Sequence, residues 1–217
     1  PARGRFALVC VDTEAGELRL ITDRFGSWPL CYADDDGVVN FSDRADCVPG
    51  PQRELSAQAI FDYLYFHTIP GPHTLFAGVQ RLPAAHILHA TPTGLANTPW
   101  WRPRFVEAPA PDLEYSKHRF MTLVEQAVAR EANGHDVGCF LSGGTDSSTV
   151  AGMLTRVTGS PARAYSIGFD AQGYDEMEYA RIAARQFGVE HHEYYVTPDD
   201  LLNGIPTVAR FYDQPFG

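Results

Sequence analysis

Residues 113 to 196 alternate between helical and strand-like apolar patterns, and this alternation constrains the fold more than any other feature of the chain. A helical stripe over 113–132 is followed by the apolar run VGCFL (137–141), a helical segment at 148–157, a strand at 162–169, a helix at 176–187 and a strand at 193–196. Strands that alternate with helices are typical of a parallel sheet with right-handed crossovers. The sequence therefore predicts an α/β fold for this half.

The first half shows a different pattern. Residues 4 to 42 contain short apolar runs of period two separated by Gly and Asp clusters, which predicts antiparallel strands and hairpins. A helix is predicted over 56–66 with Ile60, Tyr63 and Leu64 on one face, and a closing strand near 86–89. The proline-containing segment 106–112 is interpreted as a linker between domains at 1–105 and 113–217.

Charge and composition exclude several classes of partner. The formal charge of -10, from 17 basic and 27 acidic residues, repels a polyphosphate backbone, so no nucleic-acid partner is expected. No apolar run approaches the roughly 18 residues of a membrane span, and no secretory signal is evident, so we expect a cytoplasmic protein that does not bind membranes. The four cysteines match no metal-binding spacing and are expected to be buried free thiols.

The loop SGGTDSS (142–148) follows the apolar run at 137–141, which can be buried on both faces of a parallel sheet. Gly143 and Gly144 can take backbone angles closed to other residues, and Ser147 or Ser148 is predicted to begin a helix whose free N–H groups attract phosphate. Asp146 beside a phosphate requires a cation between them, and Mg²⁺ is the usual one. The loop therefore predicts a magnesium-bound nucleotide, although it matches neither a Walker A loop nor GxGxxG.

The loop resembles the SGGxDSS pyrophosphate loop of the PP-loop ATP pyrophosphatases, and its setting resembles the asparagine synthetase family. YSIGF (165–169), YDE (174–176), GVEHHEYYVT (188–197) and FYDQPFG (211–217) resemble further segments of that family in the same order. The resemblance implies ATP and Mg²⁺ as cofactors, with Asp146 as the metal ligand. It implies a nucleotide site formed by Leu141, Ser142, Gly143, Gly144, Thr145, Asp146, Ser147, Ser148, Ile167 and Gly168.

Segments 4–12, 20–43 and 74–88 resemble the last two thirds of a class II glutamine amidotransferase domain. Asp23 matches an aspartate that contacts glutamine in the family, but Thr22 stands where the family has Arg. The family's glutaminase uses a cysteine as its first residue; residue 1 here is Pro and none of the four cysteines can replace it, so no catalytic residue is assigned.

The resemblance thus implies an antiparallel, β-rich amidotransferase-like remnant of the Ntn type, followed by a parallel-sheet PP-loop domain of the adenine nucleotide α-hydrolase-like class. We expect the chain to be a fragment of a longer polypeptide, missing both ends of the family's chain.

The activity implied is an ATP-dependent ligase that adenylates a substrate carboxylate, releases pyrophosphate and transfers an amine. The partners implied are a small carboxylate and an amine donor, glutamine or ammonia, with a homodimer left open. One alternative is an intramolecular amide-forming cyclase, as in β-lactam synthetases and lasso-peptide cyclases, without glutaminase activity. Another alternative is a non-catalytic nucleotide-binding homologue. A further one is an RNA-thiolating enzyme, which the acidic net charge of the chain disfavours.

Two pairs of polar residues near the predicted site have simpler structural explanations. His191 and His192 are adjacent on a strand and so point to opposite faces, which favours packing over a metal site. Asp175 and Glu176 open a predicted helix, where the helix dipole alone favours acids.

Overall fold

The computed structural model describes residues 4–50, 53–107, 112–170 and 175–215. The chain divides into two compact units, Pro1–Phe105 with Pro206–Gly217, and Val106–Ile205. The first unit contains antiparallel sheets and the second a parallel sheet, so the predicted mixture of the two is confirmed. The boundaries of the functional domains stay a prediction, and residues 108–111 of the linker lie outside the described residues.

Among its described residues, the first unit contains seven strands, one complete α-helix and the C-terminal end of the helix Pro198–Phe211. In chain order the strands and the complete helix are β1 (Ala7–Asp12), β2 (Glu17–Thr22), β3 (Cys31–Asp35), β4 (Val38–Ser42), α1 (Ala57–Phe66), β5 (Gln80–Arg81), β6 (His86–Thr91) and β7 (Gly94–Pro99), with a short 3-10 helix at Ala45–Cys47 after β4. They form one sheet of order β1-β2-β6-β7 and a second of order β4-β3-β5.

The core of this unit lies where the two sheets contribute to one apolar cluster. Leu20 of β2 is opposite Leu88 of β6, and both are fully buried. They pack with Leu30, Tyr32 and Leu82, which lie on or beside the second sheet. The hairpins predicted from the period-two runs therefore form as expected, because one face of each strand is apolar.

Helix α1 confirms the predicted segment, and Ile60, Tyr63 and Leu64 share one of its faces as predicted. The Ser56 hydroxyl caps it by accepting from the amide of Ala59 at 3.2 Å. The helix packs through Ala59 and Asp62, whereas Ile60 and Leu64 are 41% and 71% exposed. Among the described residues, the buried side chains of α1 are therefore not those of the predicted apolar face.

The second unit shows the predicted alternation. Its elements are α2 (Leu113–Ala132), β8 (Gly138–Phe140), α3 (Thr145–Thr158), β9 (Arg163–Phe169), α4 (Met177–Phe187), β10 (Glu190–Val196) and the beginning of α5 (Pro198–Phe211). The strands are parallel in the order β10-β9-β8. Helices α2, α3 and α4 each end at a left-handed residue, respectively Asn133, Gly159 and Gly188.

Burial in the second unit departs from the prediction at its edges. Strand β8 is an edge strand of three residues, and its Phe140 is 79% exposed, so the expected burial on both faces is wrong. In the predicted apolar stripe of α2, Phe120 and Leu123 are 60% and 46% exposed. Of the four cysteines expected to be buried, Cys31 is buried and Cys139 half-buried, but Cys10 and Cys47 are exposed.

Four of the described elements have no predicted counterpart: the 3-10 helix, β5, β7 and α5. Strand β7 carries GLANTP, which lacks an apolar alternation, and forms through its antiparallel pairing with β6. Helix α5 contains Gly204 and Pro206, two residues that disfavour a helix interior. Among the described residues, none of the helices combines the length and apolar character needed to span a bilayer.

Candidate functional site

The segment 141–148, which contains the loop, runs from the C-terminal end of β8 into the first turn of α3. Leu141 is 2% exposed, and its N–H donates to the carbonyl of Tyr165 in β9 at 2.9 Å, which extends the parallel pairing by one residue. Helix α3 begins at Thr145 with Gly144 as its N-cap, earlier than the predicted start at Ser147 or Ser148. Asp146 and Ser147 therefore lie inside the first turn.

The two glycines of the loop have different roles. Gly143 has φ +83°, and a Cβ atom there would lie 2.4 Å from the carbonyl carbon of Tyr179 and 2.5 Å from the nitrogen of Ala180. Gly144 has φ −68° and ψ 161°, an ordinary extended conformation, and its nearest neighbour would be the Ser142 hydroxyl at 3.4 Å. The prediction of special backbone angles holds for Gly143 and is wrong for Gly144, whose α-carbon is instead open.

Hydroxyl groups hold the loop in shape. Ser147 Oγ accepts from the N–H of Ser142 at 3.2 Å, donates to the carbonyl of Gly144 at 3.2 Å and lies 3.0 Å from Ser142 Oγ. A hydroxyl has one proton, so Ser142 Oγ donates to Ser147 Oγ and is left to accept from the Gly144 N–H at 3.4 Å. In contrast, Ser148 Oγ is buried without a hydrogen-bond partner.

The first turn of α3 supplies groups that suit an anion. The N–H groups of Thr145, Asp146 and Ser147 belong to the helical turn whose amides have no acceptor within the helix. They carry the positive end of the helix dipole. Asp146 is exposed in this turn and can hold a cation beside a phosphate. No group of three His, Cys, Asp or Glu side chains suited to a metal occurs in the part of the chain that the structure describes.

Ile167 and Gly168 lie at the carboxyl end of β9. Tyr165 directs its carbonyl to β8, and alternate residues of a strand direct their backbone groups to the same side, so Ile167 directs its own past the end of β8. Gly168 is packed: a Cβ atom there would lie 2.8 Å from Tyr195 Cε1 and 3.0 Å from Asp175 Oδ1. The structure thus places Leu141, the loop and Ile167 together at the carboxyl ends of the parallel strands β8 and β9.

A chain of hydrogen bonds beneath the loop was not predicted from the sequence. Ser166 is 5% exposed, its hydroxyl donates to the carbonyl of Leu141, and it lies 2.7 Å from Nε2 of His191. Nδ1 of His191 lies 3.4 Å from Glu193 Oε1, and Arg181 donates to both oxygens of Glu193. The Arg181 guanidinium holds the pKa of Glu193 below its usual value. A serine within the apolar strand SIGF was the available signal for this network.

Asp23 in the first unit has its carboxylate fully engaged. It is 1% exposed and accepts from the N–H groups of Phe6 at 3.0 Å, Phe25 at 2.9 Å and Ser27 at 3.1 Å, and from the Ser27 hydroxyl at 3.2 Å. Burial opposes ionisation, but these hydrogen bonds outweigh it and lower the pKa of Asp23. The side chain therefore organises the 23–27 turn.

A cavity of about 900 Å³ also lies in the first unit, lined in part by Arg44, Arg81 and Arg210. Arg44 binds Asp46 through Nε at 2.9 Å, and Arg81 binds Asp213 through Nη2 at 3.0 Å. Asp213, in the segment that resembles one near the family's nucleotide, also accepts from the backbone of Ala45 at 2.8 Å. Two of the three arginine side chains are thus already paired with a carboxylate.

Comparison with known proteins divides the chain in the same order as the motifs. Residues 1–101 match the family described as glutamine amidotransferase domain, and residues 119–217 match the family described as asparagine synthase. The two parts of the chain are thus similar, in this order, to the amidotransferase and synthase parts of asparagine synthetases. All ten predicted nucleotide-site residues fall in the asparagine synthase match, and Asp23 falls in the amidotransferase match.

Curated relatives of the asparagine synthetase family align over nearly the whole chain. A putative glutamine-hydrolysing asparagine synthetase of Mycobacterium tuberculosis is 29% identical over 98% of this chain and 34% of its own length. Glutamine-hydrolysing asparagine synthetase 1 of Bacillus subtilis is 26% identical over 98% and 34%, and amidase chry2 of Gibberella zeae is 28% identical over the same shares. The chain spans about a third of the length of these relatives.

The similarity to asparagine synthetases draws attention to Thr22. Its hydroxyl donates to the carbonyl of Pro83 at 2.6 Å and accepts from the N–H of His86 at 3.3 Å, and the residue is fully buried. Where the family carries Arg, this chain therefore has a short side chain that joins β2 to the start of β6. No guanidinium can project from this position.

Proposed function

We propose that the chain is part of an ATP-dependent ligase that activates a substrate carboxylate as an acyl-adenylate and then forms an amide, in the manner of glutamine-hydrolysing asparagine synthetase. The observation that carries the proposal is the loop itself: SGGTDSS begins where a parallel strand ends and continues into the first turn of a helix. That position combines free amides, a positive dipole end and a carboxylate. With it we propose a PP-loop fold for the second unit.

The residues present fit a nucleotide with its cation. The open α-carbon of Gly144 leaves room for a phosphate to approach the backbone, and the buried Ser148 hydroxyl is an unused donor. Asp146 would hold Mg²⁺, and the backbone of Leu141 and Ile167 with Gly168 would contact adenine. When bound, Mg²⁺–ATP supplies the phosphoryl electrophile and a pyrophosphate leaving group whose charge the cation balances.

In the first step a carboxylate oxygen forms a bond to the α-phosphorus while the bond from that phosphorus to the β-bridging oxygen breaks. The amides of Thr145, Asp146 and Ser147, with the loop hydroxyls, stabilise the charge that develops on the departing pyrophosphate. An amine nitrogen then bonds to the acyl carbon, AMP leaves with the electron pair of the broken carbon–oxygen bond, and the nitrogen loses a proton. Glutamine or ammonia is the amine source that the amidotransferase domain suggests.

The complete gene product should catalyse carboxylate-dependent exchange of labelled pyrophosphate into ATP, measured over a panel of carboxylates that includes aspartate. We expect Asp146→Ala to lower exchange at least about tenfold, because it removes the proposed metal ligand. Asp199→Ala is the matched control, since Asp199 is also an exposed acid in the first turn of a helix. Equal exchange in the two variants would reject Asp146 as the metal ligand; no exchange with any carboxylate would reject adenylation.

A second candidate is a cyclase that uses an amine within its own substrate and hydrolyses no glutamine. It is favoured by the Asp23 carboxylate, which is saturated by internal hydrogen bonds, and by Thr22 in place of Arg. Glutamate release from glutamine by the complete gene product distinguishes the two. Glutamate release coupled to AMP formation supports the synthetase. AMP formation that needs no added amine and is accompanied by no glutamate release supports the cyclase.

The remaining parts of the proposal follow from this chemistry. The domains are an amidotransferase-like part at 1–105, a linker at 106–112 and the synthetase part at 113–217. We expect a cytoplasmic protein because the reaction draws on cellular ATP, and we expect no nucleic-acid or membrane partner. A homodimer is tested directly by sedimentation.

A further inference from the structure

We propose that Ser166 and His191 are positioning residues that set the orientation of the 141–142 peptide and thereby the geometry of the loop. The inference rests on the proposed nucleotide site but concerns residues that do not belong to it. Ser166 lies on β9 and His191 on β10, one and two strands away from β8.

The peptide plane is the link between these residues and the loop. Ser166 Oγ donates to the carbonyl oxygen of Leu141. The same planar peptide unit carries the N–H of Ser142, because a peptide bond allows no independent rotation of its two ends. That N–H donates to Ser147 Oγ at 3.2 Å, the bond that starts the internal network of the loop. A change in the direction of the Leu141 carbonyl must therefore change the loop.

The directions of the hydrogen bonds determine which nitrogen of His191 carries a proton. The Leu141 carbonyl can only accept, so the single proton of Ser166 is committed to it. Ser166 Oγ can then only accept from Nε2 of His191, 2.7 Å away, and Nε2 must be protonated. Histidine is thus a donor that holds the serine in the rotamer in which it reaches Leu141.

The far side of the imidazole faces Glu193, a contact that is attractive when Nδ1 also carries a proton. His191 and Glu193 are two residues apart on β10 and so share a face, with Nδ1 and Oε1 3.4 Å apart. Arg181 of α4 donates a hydrogen bond from Nε to Glu193 at 2.8 Å, and its Nη2 lies 3.5 Å from the Tyr195 hydroxyl. The side chain of His191 is 11% exposed. Strand, helix and loop are therefore joined by one continuous set of polar contacts.

The test compares variants of the complete gene product by calorimetric titration with Mg²⁺–ATP. We expect Ser166→Ala and His191→Leu each to raise Kd about three- to tenfold, the range for loss of one orienting hydrogen bond. His191→Gln should remain within about twofold of wild type, because its terminal amide can donate to Ser166. His192→Leu is the matched control: the neighbouring ring stacks on Tyr165 instead, with centroids 4.9 Å apart.

The two residues act in series, so the double variant Ser166→Ala/His191→Leu should bind no more weakly than Ser166→Ala alone. Additive losses would overturn the series arrangement. Wild-type affinity in both single variants, or equal losses in His191→Gln and His191→Leu, would overturn the positioning role. Thermal unfolding of each variant, compared with His192→Leu, separates loss of the loop geometry from loss of the fold.

Two readouts do not depend on nucleotide. Nitrogen-15 NMR of the imidazole should show a proton on Nε2 of His191, and a ring protonated on Nδ1 alone would overturn the proposal. Amide exchange at Ser142 should accelerate in Ser166→Ala but not in His192→Leu. Failure of the wild-type protein to bind Mg²⁺–ATP would reject the proposed function, whereas these two measurements would still decide the positioning role.

Discussion

Gly143 and Gly144 are adjacent and chemically identical, yet the structure predicts different consequences when each is changed to alanine. At Gly143 the backbone angle φ of +83° is unfavourable for any residue with a Cβ atom, at roughly 1–2 kcal/mol. The new Cβ would also lie 2.4 and 2.5 Å from backbone atoms of Tyr179 and Ala180, so the loop or α4 must move. Overpacking of this kind costs about 1–3 kcal/mol.

We therefore expect Gly143→Ala to lower the free energy of unfolding of the second unit by about 2–5 kcal/mol. At Gly144 the same methyl group meets only the Ser142 hydroxyl at 3.4 Å in an ordinary extended backbone. Stability should change by no more than about 1 kcal/mol in either direction, because alanine restricts the unfolded chain but fits the N-cap position of α3 less well than glycine. Nucleotide binding should nevertheless weaken in Gly144→Ala, because the methyl group occupies the space in which a phosphate would approach the backbone.

Urea unfolding followed by circular dichroism measures the free energy of unfolding of each variant. Calorimetric titration with Mg²⁺–ATP measures its affinity for the nucleotide. Gly152→Ala serves as a packing control within α3, since its Cβ would meet the ring of Phe187 at 2.6 Å, a side chain and not backbone. A Gly143→Ala protein as stable as wild type would refute the argument from close approach. Wild-type affinity in Gly144→Ala would refute the argument that the phosphate lies against that α-carbon.

Three further outcomes are expected. Asp23→Asn should lower the free energy of unfolding by about 1–3 kcal/mol in urea titrations, because one amide oxygen cannot replace two carboxylate acceptors; a loss no larger than that of the exposed Asp12→Asn would contradict this. Since hydrogen bonds lower the folded pKa of Asp23 below its ordinary 3.8 despite burial, its stabilisation is complete above that value and is lost as pH falls through the folded pKa. Acid titration of stability should show this component in wild type and not in Asp23→Asn. Burial raises the pKa of the Cys31 thiol to about 11, so at pH 8 a thiol reagent followed by mass spectrometry should modify exposed Cys10 at least about tenfold faster; equal rates would contradict this.

Much of the fold was predictable because local pattern and tertiary structure agree. The bounds predicted for α2, 113–132, are those observed, and α4 ends at Gly188 as expected. A long amphipathic run with a left-handed residue after it leaves little freedom in where a helix stops. The segment GLANTP was missed because only its partner strand makes it a strand.

The candidate site was predictable in its composition and less so in its geometry. The loop residues, the glycine at 143 and the acid at 146 could be named from the sequence, because small and polar residues between a strand and a helix suit an anion. The early start of α3 and the ordinary backbone of Gly144 could not, because the energies that separate neighbouring helix starts are small.

The sequence by itself determined the alternation of helices and strands in the second half, the loop chemistry and, through its motifs, the resemblance to the asparagine synthetase family. These depend on residues close together in the chain, where periodicity and turn chemistry act directly. Only the tertiary structure decided that Asp23 is saturated by hydrogen bonds and that Ser166 connects His191 to Leu141. The bond from Phe6 to Asp23 and the two contacts of Ser166 join residues 17 to 25 positions apart, and their existence depends on strand register and side-chain direction, which no local pattern encodes.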